Sequence, residues 1–191
     1  CLFRANENGQ MRLYTMTHGV TGRKSFGGFE GKSIVRGFSS DGRSVYVVNI
    51  GPRTPAALYA IKTDGTSSTH LFSTSPNSAD VQASTVSFTA IDNLSVPGYV
   101  WEAKVRRGAL VLVHGGPRQQ ELPVWDEMIQ LVVRVGFTVV AVNYRGSTGY
   151  GSAFECATGD PVWDILAARD HLLVKHGISE NQIFFFGTSF G

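Results

Sequence analysis

Residues 183–191 read IFFFGTSFG, a short apolar run followed by a Gly-x-Ser-x-Gly pentapeptide. The apolar run indicates a short buried strand, and the pentapeptide is typical of a nucleophile elbow, a sharp turn that holds a serine hydroxyl clear of a sheet. A Cβ at Gly187 or Gly191 would collide with neighbouring backbone in such a turn, and the serine itself takes a strained conformation. The stretch therefore predicts that Ser189 is a catalytic nucleophile.

Composition and charge are those of an ordinary globular protein, with 42% hydrophobic and 17% charged residues and a formal charge of +2. The basic residues are scattered, which argues against a nucleic-acid partner. No apolar run approaches the roughly 20 residues that a membrane helix needs, so no membrane association is expected. Cys1 and Cys156 form neither a disulfide framework nor a metal-ligand spacing. We expect no metal, a reducing compartment and a cytoplasmic location.

Residues 1–80 contain short strands and turns. Asp41-Gly42 and Asp64-Gly65 are dipeptides that supply the positive φ angles of tight hairpin turns. The span 39–65 is typical of one blade of a β-propeller, and an antiparallel sandwich is an equally open interpretation. The candidate strands are 13–16, 34–38, 44–50, 58–62 and 70–73.

A polar stretch with a proline, residues 73–83, predicts a domain boundary, so that the domains are expected at 1–80 and 81–191. The second begins with a hairpin, after which apolar strands alternate with helices, and this predicts an α/β domain with a mostly parallel sheet and helices on both faces. Asp160 and Gly177 are expected to cap and to end the second helix. The expected strands are 85–91, 98–103, 109–114, 137–143 and 182–186, and the expected helices are 121–135 and 160–176.

Three loops follow apolar strands: His-Gly-Gly-Pro at 114–117, Asn-Tyr-Arg-Gly-Ser-Thr-Gly-Tyr-Gly at 143–151, and the elbow. Because the loops after parallel strands lie at one edge of a sheet, these three should converge. Acyl transfer needs two donors aimed at the developing oxyanion. Glycines at Gly115 and Gly116 free a backbone amide to approach the substrate, and the amide of Phe190 would be the second donor.

These three motifs, in this order and after a β-rich segment, resemble the prolyl oligopeptidase family of serine peptidases, in particular its acylaminoacyl-peptidase-like branch. The resemblance covers residues 85–191 and extends into the preceding part, which resembles the last blade of a β-propeller. It implies the N-terminal half of an α/β-hydrolase domain, and a serine peptidase that acts on short or N-acylated peptides through an acyl-enzyme without a cofactor.

The resemblance also assigns roles to individual residues. Ser189 matches the nucleophile, and Phe190 together with Gly115 or Gly116 matches the oxyanion donors. His114 would shape the oxyanion loop. The 143–151 stretch, with Tyr144 and Arg145, matches a loop beside the active site.

In the resembled family an acid and then a histidine follow the serine, and neither lies within residues 1–191 at a matching position. We expect the downstream half of the same enzyme to supply both, and residues 1–191 alone to be inactive and poorly stable. His114 ends the strand expected beside that of Ser189, but bases in this fold come from a later loop. A homo-oligomer is a further partner that the sequence leaves open.

Other polar residues have simpler interpretations. His171 and His176 are expected to be surface or packing residues of the second helix, and Asp164 and Asp170 to lie on its surface. Cys156 is expected to be a small buried residue, because no basic neighbour in the sequence would activate its thiol. Three tryptophans are expected in the core or an interface: Trp101, Trp125 and Trp163.

Two alternatives to the peptidase remain. The elbow does not distinguish scissile bonds, so an esterase, thioesterase or amide-processing enzyme on the same scaffold fits the motifs as well. A protein of another class, which keeps the elbow without catalysis and serves as an interaction module, is the second alternative.

Overall fold

The computed structural model describes residues 1–7, 9–19, 21–74, 80–116 and 118–191. The chain divides into two compact units, Cys1–Asp80 and Val81–Gly191. The centre of the predicted boundary segment, 75–79, and the proline of the His-Gly-Gly-Pro motif, Pro117, lie outside the described residues. Within the described ranges, no helix is both long and apolar enough to cross a membrane.

The amino-terminal unit is a sheet whose strands follow the order β1-β2-β4-β5-β6-β7, with β3 paired to β2. Its pairings are antiparallel except for a single parallel contact between β2 and β4. The five predicted strands are present, whereas β1 and β3 were not predicted. The strands are β1 Leu2–Glu7, β2 Gln10–Thr15, β3 Lys24–Ser25, β4 Lys32–Phe38, β5 Ser44–Ile50, β6 Ala57–Lys62 and β7 Ser68–Ser73.

Alternation along β5 builds the core of this unit. Val45, Val47 and Asn49 are buried while their neighbours are partly exposed, because successive side chains of a strand point to opposite faces. The two valines pack with apolar residues of the neighbouring segments, Leu13, Phe26 and Ile61. Gly42 and Gly65 have φ angles of 69° and 74°, which confirms the positive φ predicted for both hairpin turns.

The carboxy-terminal unit is an α/β structure with the strand order β12-β10-β11-β9-β8. The strands β12, β10 and β11 are parallel, whereas β9 and β8 form an antiparallel hairpin on the β11 side. The strands are β8 Ser84–Thr89, β9 Ser95–Trp101, β10 Gly108–Val113, β11 Phe137–Val142 and β12 Ile183–Gly187. The helices are α1 Glu127–Arg134, α2 Ser152–Glu155 and α3 Pro161–His176, and a 3-10 turn covers Glu180–Gln182.

The two longer helices pack on opposite faces of this sheet. Ala168 and Leu172 of α3 pack with Val111 and Val140 in one cluster. On the other face α1 packs against a cluster that contains Trp101, which is fully buried. The members of this second cluster are Tyr99, Trp101, Ala103, Leu112, Ile129, Val133, Val139 and Ala141. Alternate residues of the central strands therefore enter different cores.

Two predicted elements need correction. The first helix was expected over 121–135 but begins at Glu127, where the side chain of Asp126 accepts a hydrogen bond of 2.9 Å from the amide of Ile129. Residue Glu121 lies instead in a loop, because both its amide and its carbonyl bond to the side chain of Asn143. Cys156 was expected to be buried and is exposed, since it follows the single-turn helix α2 at the surface.

The predicted signals of α3 are confirmed. Asp160 precedes the helix and accepts a hydrogen bond of 2.9 Å from the amide of Val162, and Gly177 ends the helix with a φ of 61°. The strand β12 differs from its prediction as a buried strand. It lies at an edge of the described sheet, and Phe184, Phe185 and Phe186 are each about half exposed, at 52%, 51% and 46%.

Candidate active site

Ser189 follows β12 on a strained turn. Its φ of 56° lies in the left-handed region, where Asn93 is the other non-glycine residue among those described, and a serine pays a steric cost there. A Cβ at Gly187 would overlap the backbone of Gly191. One at Gly191 would lie 2.5 Å from the carbonyl oxygen of Val113. The steric predictions made for this turn are therefore confirmed.

The 114–116 loop lies directly against the elbow. Strand β10 pairs with β12 in parallel, with Val113 opposite Gly187, so both loops leave the sheet side by side. A Cβ at Gly115 would lie 2.9 Å from the Thr188 carbonyl oxygen and 3.3 Å from the Cβ of Ser189. Gly115 thus lies as close to Ser189 as a donor to an oxyanion would have to lie if this serine were the nucleophile.

Tyr144 contacts both the 114–116 loop and the elbow. Its hydroxyl donates to the carbonyl oxygens of His114 at 3.0 Å and Gly116 at 3.3 Å. Its ring stacks on the His114 ring, with centroids 4.4 Å apart, and its centroid lies 5.9 Å from that of Phe190. The side chain is fully buried. Tyr144 therefore supports the segments that carry both predicted oxyanion donors.

Asn143 holds Glu121, which follows the 114–116 loop in the chain. Its Oδ1 accepts from the Glu121 amide at 2.7 Å, and its Nδ2 donates to the Glu121 carbonyl at 3.2 Å and to the Tyr150 hydroxyl at 2.8 Å. Burial raises the pKa of Tyr150, so that its hydroxyl stays protonated. A backbone hydrogen bond of 2.9 Å from the Thr148 amide to the Gln119 carbonyl is a further attachment. Segment 143–150 therefore holds residues 114–116 and 119–121 in place.

Both ring nitrogens of His114 lie within hydrogen-bond distance of a neighbouring residue. Nε2 lies 2.9 Å from the hydroxyl oxygen of Ser147, and Nδ1 lies 3.1 Å from the carbonyl oxygen of Gly115. Burial lowers the pKa of this histidine. Within the described part of the chain, the Ser189 hydroxyl makes no hydrogen bond with a histidine. This arrangement fits the expected role of His114 in shaping the loop better than a role as base.

Every hydrogen-bond donor of the Arg145 guanidinium has a partner. Its Nε donates to Asp164, its Nη2 to Asp164 and Asp92, and its Nη1 to Asp92 and the Thr158 carbonyl, at distances of 2.5–3.2 Å. All five N–H donors are used, and the carboxylates raise the pKa of the guanidinium. The residue follows β11 as expected, but it has no donor left for a substrate.

Asp164 corrects a prediction, since it was expected on the helix surface and is fully buried against Arg145. Asp170 does have an exposed side chain, as expected. The sequence contains a signal for the burial of Asp164, because Asp164, Ala168 and Leu172 are spaced by four and form the buried stripe of α3. Asn143 and Ser147 belong to the predicted 143–151 loop, but the sequence assigned neither of them an individual role; both are fully buried.

The described residues hold no group of three or more His, Cys, Asp or Glu side chains that could bind a metal ion. His171 and His176 lie together near the end of α3, with ring centroids 5.4 Å apart. The first packs edge-on against Phe88 at 5.3 Å. Neither contact brings a histidine to the elbow.

A strained serine at the end of a parallel strand, with a Gly-Gly loop against it and helices on both sheet faces, has the geometry of the nucleophile elbows of α/β-hydrolases. Comparison with known proteins indicates which family of proteins the chain resembles. Residues 123–191 match the model of the prolyl oligopeptidase family. In this segment the chain is similar to the prolyl oligopeptidase family, and among its relatives are acylamino-acid-releasing enzymes.

Individual relatives agree with this assignment. The human acylamino-acid-releasing enzyme is 37% identical over 76 residues, which are 40% of this chain and 10% of the relative. A rice enzyme, acylamino-acid-releasing enzyme 1 of Oryza sativa subsp. japonica, is 29% identical over 96 residues, 48% of this chain and 12% of the relative. The chain thus spans only about a tenth of the length of these curated relatives.

A solved structure matches nearly the whole chain. The acylaminoacyl peptidase of Pyrococcus horikoshii superposes with a TM-score of 0.74 and 25% identity, over 97% of this chain and 31% of that one. Both units of the chain therefore have counterparts in one related protein.

Proposed function

We propose that the whole protein is a serine peptidase that cleaves short or N-acylated peptides through an acyl-enzyme. The observation that carries the proposal is the close approach of Gly115 to the strained Ser189. It supports the proposal because an oxyanion donor must lie beside the nucleophilic serine. The similarity to acylamino-acid-releasing enzymes supports the substrate class.

In this proposal Ser189 Oγ attacks the scissile carbonyl carbon and its proton passes to a histidine base. The negative charge that develops on the carbonyl oxygen is met by the Phe190 amide and by the amide of Gly115 or Gly116. The base then protonates the leaving amine, and water hydrolyses the acyl-enzyme. The substrate is a peptide or small acyl compound, and no cofactor takes part.

The base and the triad acid are proposed to come from a downstream half of the same enzyme, since His114, His171 and His176 make other contacts. We propose that the amino-terminal unit is a part of a β-propeller, because β4 to β7 form a four-stranded antiparallel meander as in a blade. The second unit would be the N-terminal part of the hydrolase domain. A cytoplasmic location without nucleic-acid or membrane partners is proposed as well.

A fluorophosphonate probe tests the nucleophile in the whole protein. We expect labelling of the native protein and its complete loss in Ser189→Ala, because the probe forms a bond to an activated serine oxygen. Ser152→Ala, which removes an exposed serine of the same unit, serves as the matched control and should label normally. Labelling that persists in Ser189→Ala would contradict the assignment.

Substrate preference separates the peptidase from its alternatives. We expect the whole protein to release the anilide from an acyl-aminoacyl anilide, whereas an esterase or thioesterase would turn over only p-nitrophenyl esters or thioesters. Residues 1–191 expressed alone should hydrolyse neither compound above background. A protein that is neither labelled nor active would favour the non-catalytic interaction module.

A further inference from the structure

Tyr144 joins the two segments that carry the predicted oxyanion donors, and its side chain is fully buried. Its ring stacks on the ring of His114, with centroids 4.4 Å apart, and lies 5.9 Å from the ring centroid of Phe190. His114 begins the 114–116 loop, and Phe190 directly follows the predicted nucleophile, Ser189. One buried side chain therefore contacts both sides of the predicted oxyanion site.

The Tyr144 hydroxyl holds two carbonyl groups of the 114–116 loop. It donates to the carbonyl oxygen of His114 at 3.0 Å and to that of Gly116 at 3.3 Å. Because the hydroxyl has a single hydrogen, the two oxygens share it as acceptors. These carbonyls belong to the peptides on either side of the one that joins Gly115 to Gly116. The hydroxyl therefore holds the loop at both ends.

The peptide that joins Gly115 to Gly116 is held through the ring of His114. Nδ1 of this ring donates to the carbonyl oxygen of Gly115 at 3.1 Å, since a carbonyl oxygen can only accept. The same ring is stacked on Tyr144 at an interplanar angle of 18°, so the imidazole keeps its plane. Tyr144 therefore supports two peptides of the loop through its hydroxyl and the third through the His114 ring.

A held carbonyl also fixes the direction of the amide in the same peptide. Among the described residues no peptide bond is cis, and in a planar trans peptide the C=O and the N–H point in opposite directions. The amides of Gly115 and Gly116, one of which is the second predicted donor, thus take their directions from these contacts. Glycine adopts a wide range of backbone angles, so without the contacts both amides would be free to turn. An oxyanion donor is effective because its direction is set before the reaction.

We propose that Tyr144 is a positioning residue whose hydroxyl keeps the donor amide of the 114–116 loop directed at the carbonyl oxygen of a substrate bound at Ser189. The inference rests on the proposed function, since it names a residue that prepares the same site. Tyr144 acts through the loop. Burial raises the pKa of its hydroxyl, so this group stays protonated and remains a donor at neutral pH.

Tyr144→Phe in the whole protein tests the proposal, because it removes the hydroxyl and keeps the ring. We expect kcat for an acyl-aminoacyl anilide to fall about tenfold, less than the roughly 10²–10³-fold typical of deleting a whole oxyanion donor, with KM nearly unchanged. A peptide boronic acid, whose tetrahedral adduct resembles the transition state, should bind more weakly by the same factor. The affinity for the product peptide should stay unchanged, which also shows that the variant is folded.

The matched control is Tyr14→Phe. The Tyr14 hydroxyl donates a 3.0 Å hydrogen bond to Glu7, and both residues lie in the amino-terminal unit. The same loss of one hydroxyl should leave kcat, KM and boronate affinity unchanged. The pH dependence of kcat/KM should keep its midpoints in Tyr144→Phe, because a positioning residue transfers no proton to or from the reacting groups.

Three results would overturn the proposal while the native enzyme remains active and labelled at Ser189. They are an unchanged kcat in Tyr144→Phe, an equal loss of boronate and product affinity, which would indicate a general distortion, and a shifted pH profile, which would indicate proton transfer by the tyrosine. An inactive and unlabelled native protein would instead refute the proposed function. The two failures are therefore distinguishable.

Discussion

Asp164 and Asp170 are six residues apart on α3, and the structure gives them opposite environments. Asp164 is fully buried against Arg145, whereas the Asp170 side chain is 57% exposed and pairs with Arg169. Removing one partner of a buried ion pair leaves an uncompensated charge, at a cost of about 3–5 kcal/mol, whereas a surface pair contributes about 0–1 kcal/mol.

We therefore expect Asp164→Ala to lower the free energy of unfolding of the whole protein by about 3 kcal/mol. The lower end of the range applies because Asp92 still contacts the guanidinium at 2.7 Å. Asp170→Ala should cost less than about 1 kcal/mol. Urea unfolding measures both, and equal losses in the two variants would contradict the structural role given to Asp164.

At the scale of single residues, the sequence predicted the roles of residues within a short motif. It missed the roles that depend on contacts between distant positions of the chain. The elbow around Ser189 lies within five consecutive residues, so its motif identifies it directly. The acidic partners of Arg145 lie 19 and 53 residues away, and the partners of Ser147 include a residue 33 positions earlier. Such contacts depend on the packed sheet and leave no short pattern in the chain.

The elbow as an element depends on its flanking glycines. A Cβ at Gly187 would overlap the backbone of Gly191, so Gly187→Ala must displace the turn that carries Ser189. Because a misplacement of about 1 Å can cost about 100-fold in rate, we expect the rate of fluorophosphonate labelling to fall by about that factor.

Gly37→Ala provides the comparison for this substitution. Gly37 lies in β4 at a shift of register, and a Cβ there would have no atom within 4 Å. Labelling should be unchanged in this variant. If Gly187→Ala also labels at the native rate, the turn is more adaptable than its geometry indicates.

Elements with strong periodicity were predicted closely, and those fixed by tertiary contacts were not. The sequence placed β5 at its observed bounds, and it identified the cap of α3. It began α1 six residues early, because the bonds from Asn143 that hold Glu121 in a loop join residues 22 positions apart. The antiparallel placement of β9 beside β11 was likewise set by packing.

At the scale of the whole molecule, the described sheet of the carboxy-terminal unit stops at β12. Its phenylalanines are about half exposed, and an apolar strand at a sheet edge offers unpaired backbone groups to another strand. The proposal that a downstream half completes the enzyme gives this edge a partner. The pairing of β12 with such a partner can be measured independently of catalysis.

Hydrogen–deuterium exchange in the whole protein can read that pairing amide by amide. The amides of β12 that face away from β10 have no strand partner among the described residues, so they should exchange within seconds if the edge is open. We expect these amides instead to be as protected as those of the central strands β10 and β11, because pairing with a further strand would make β12 an internal strand of the sheet. Fast exchange there would contradict the pairing of β12 with a further strand.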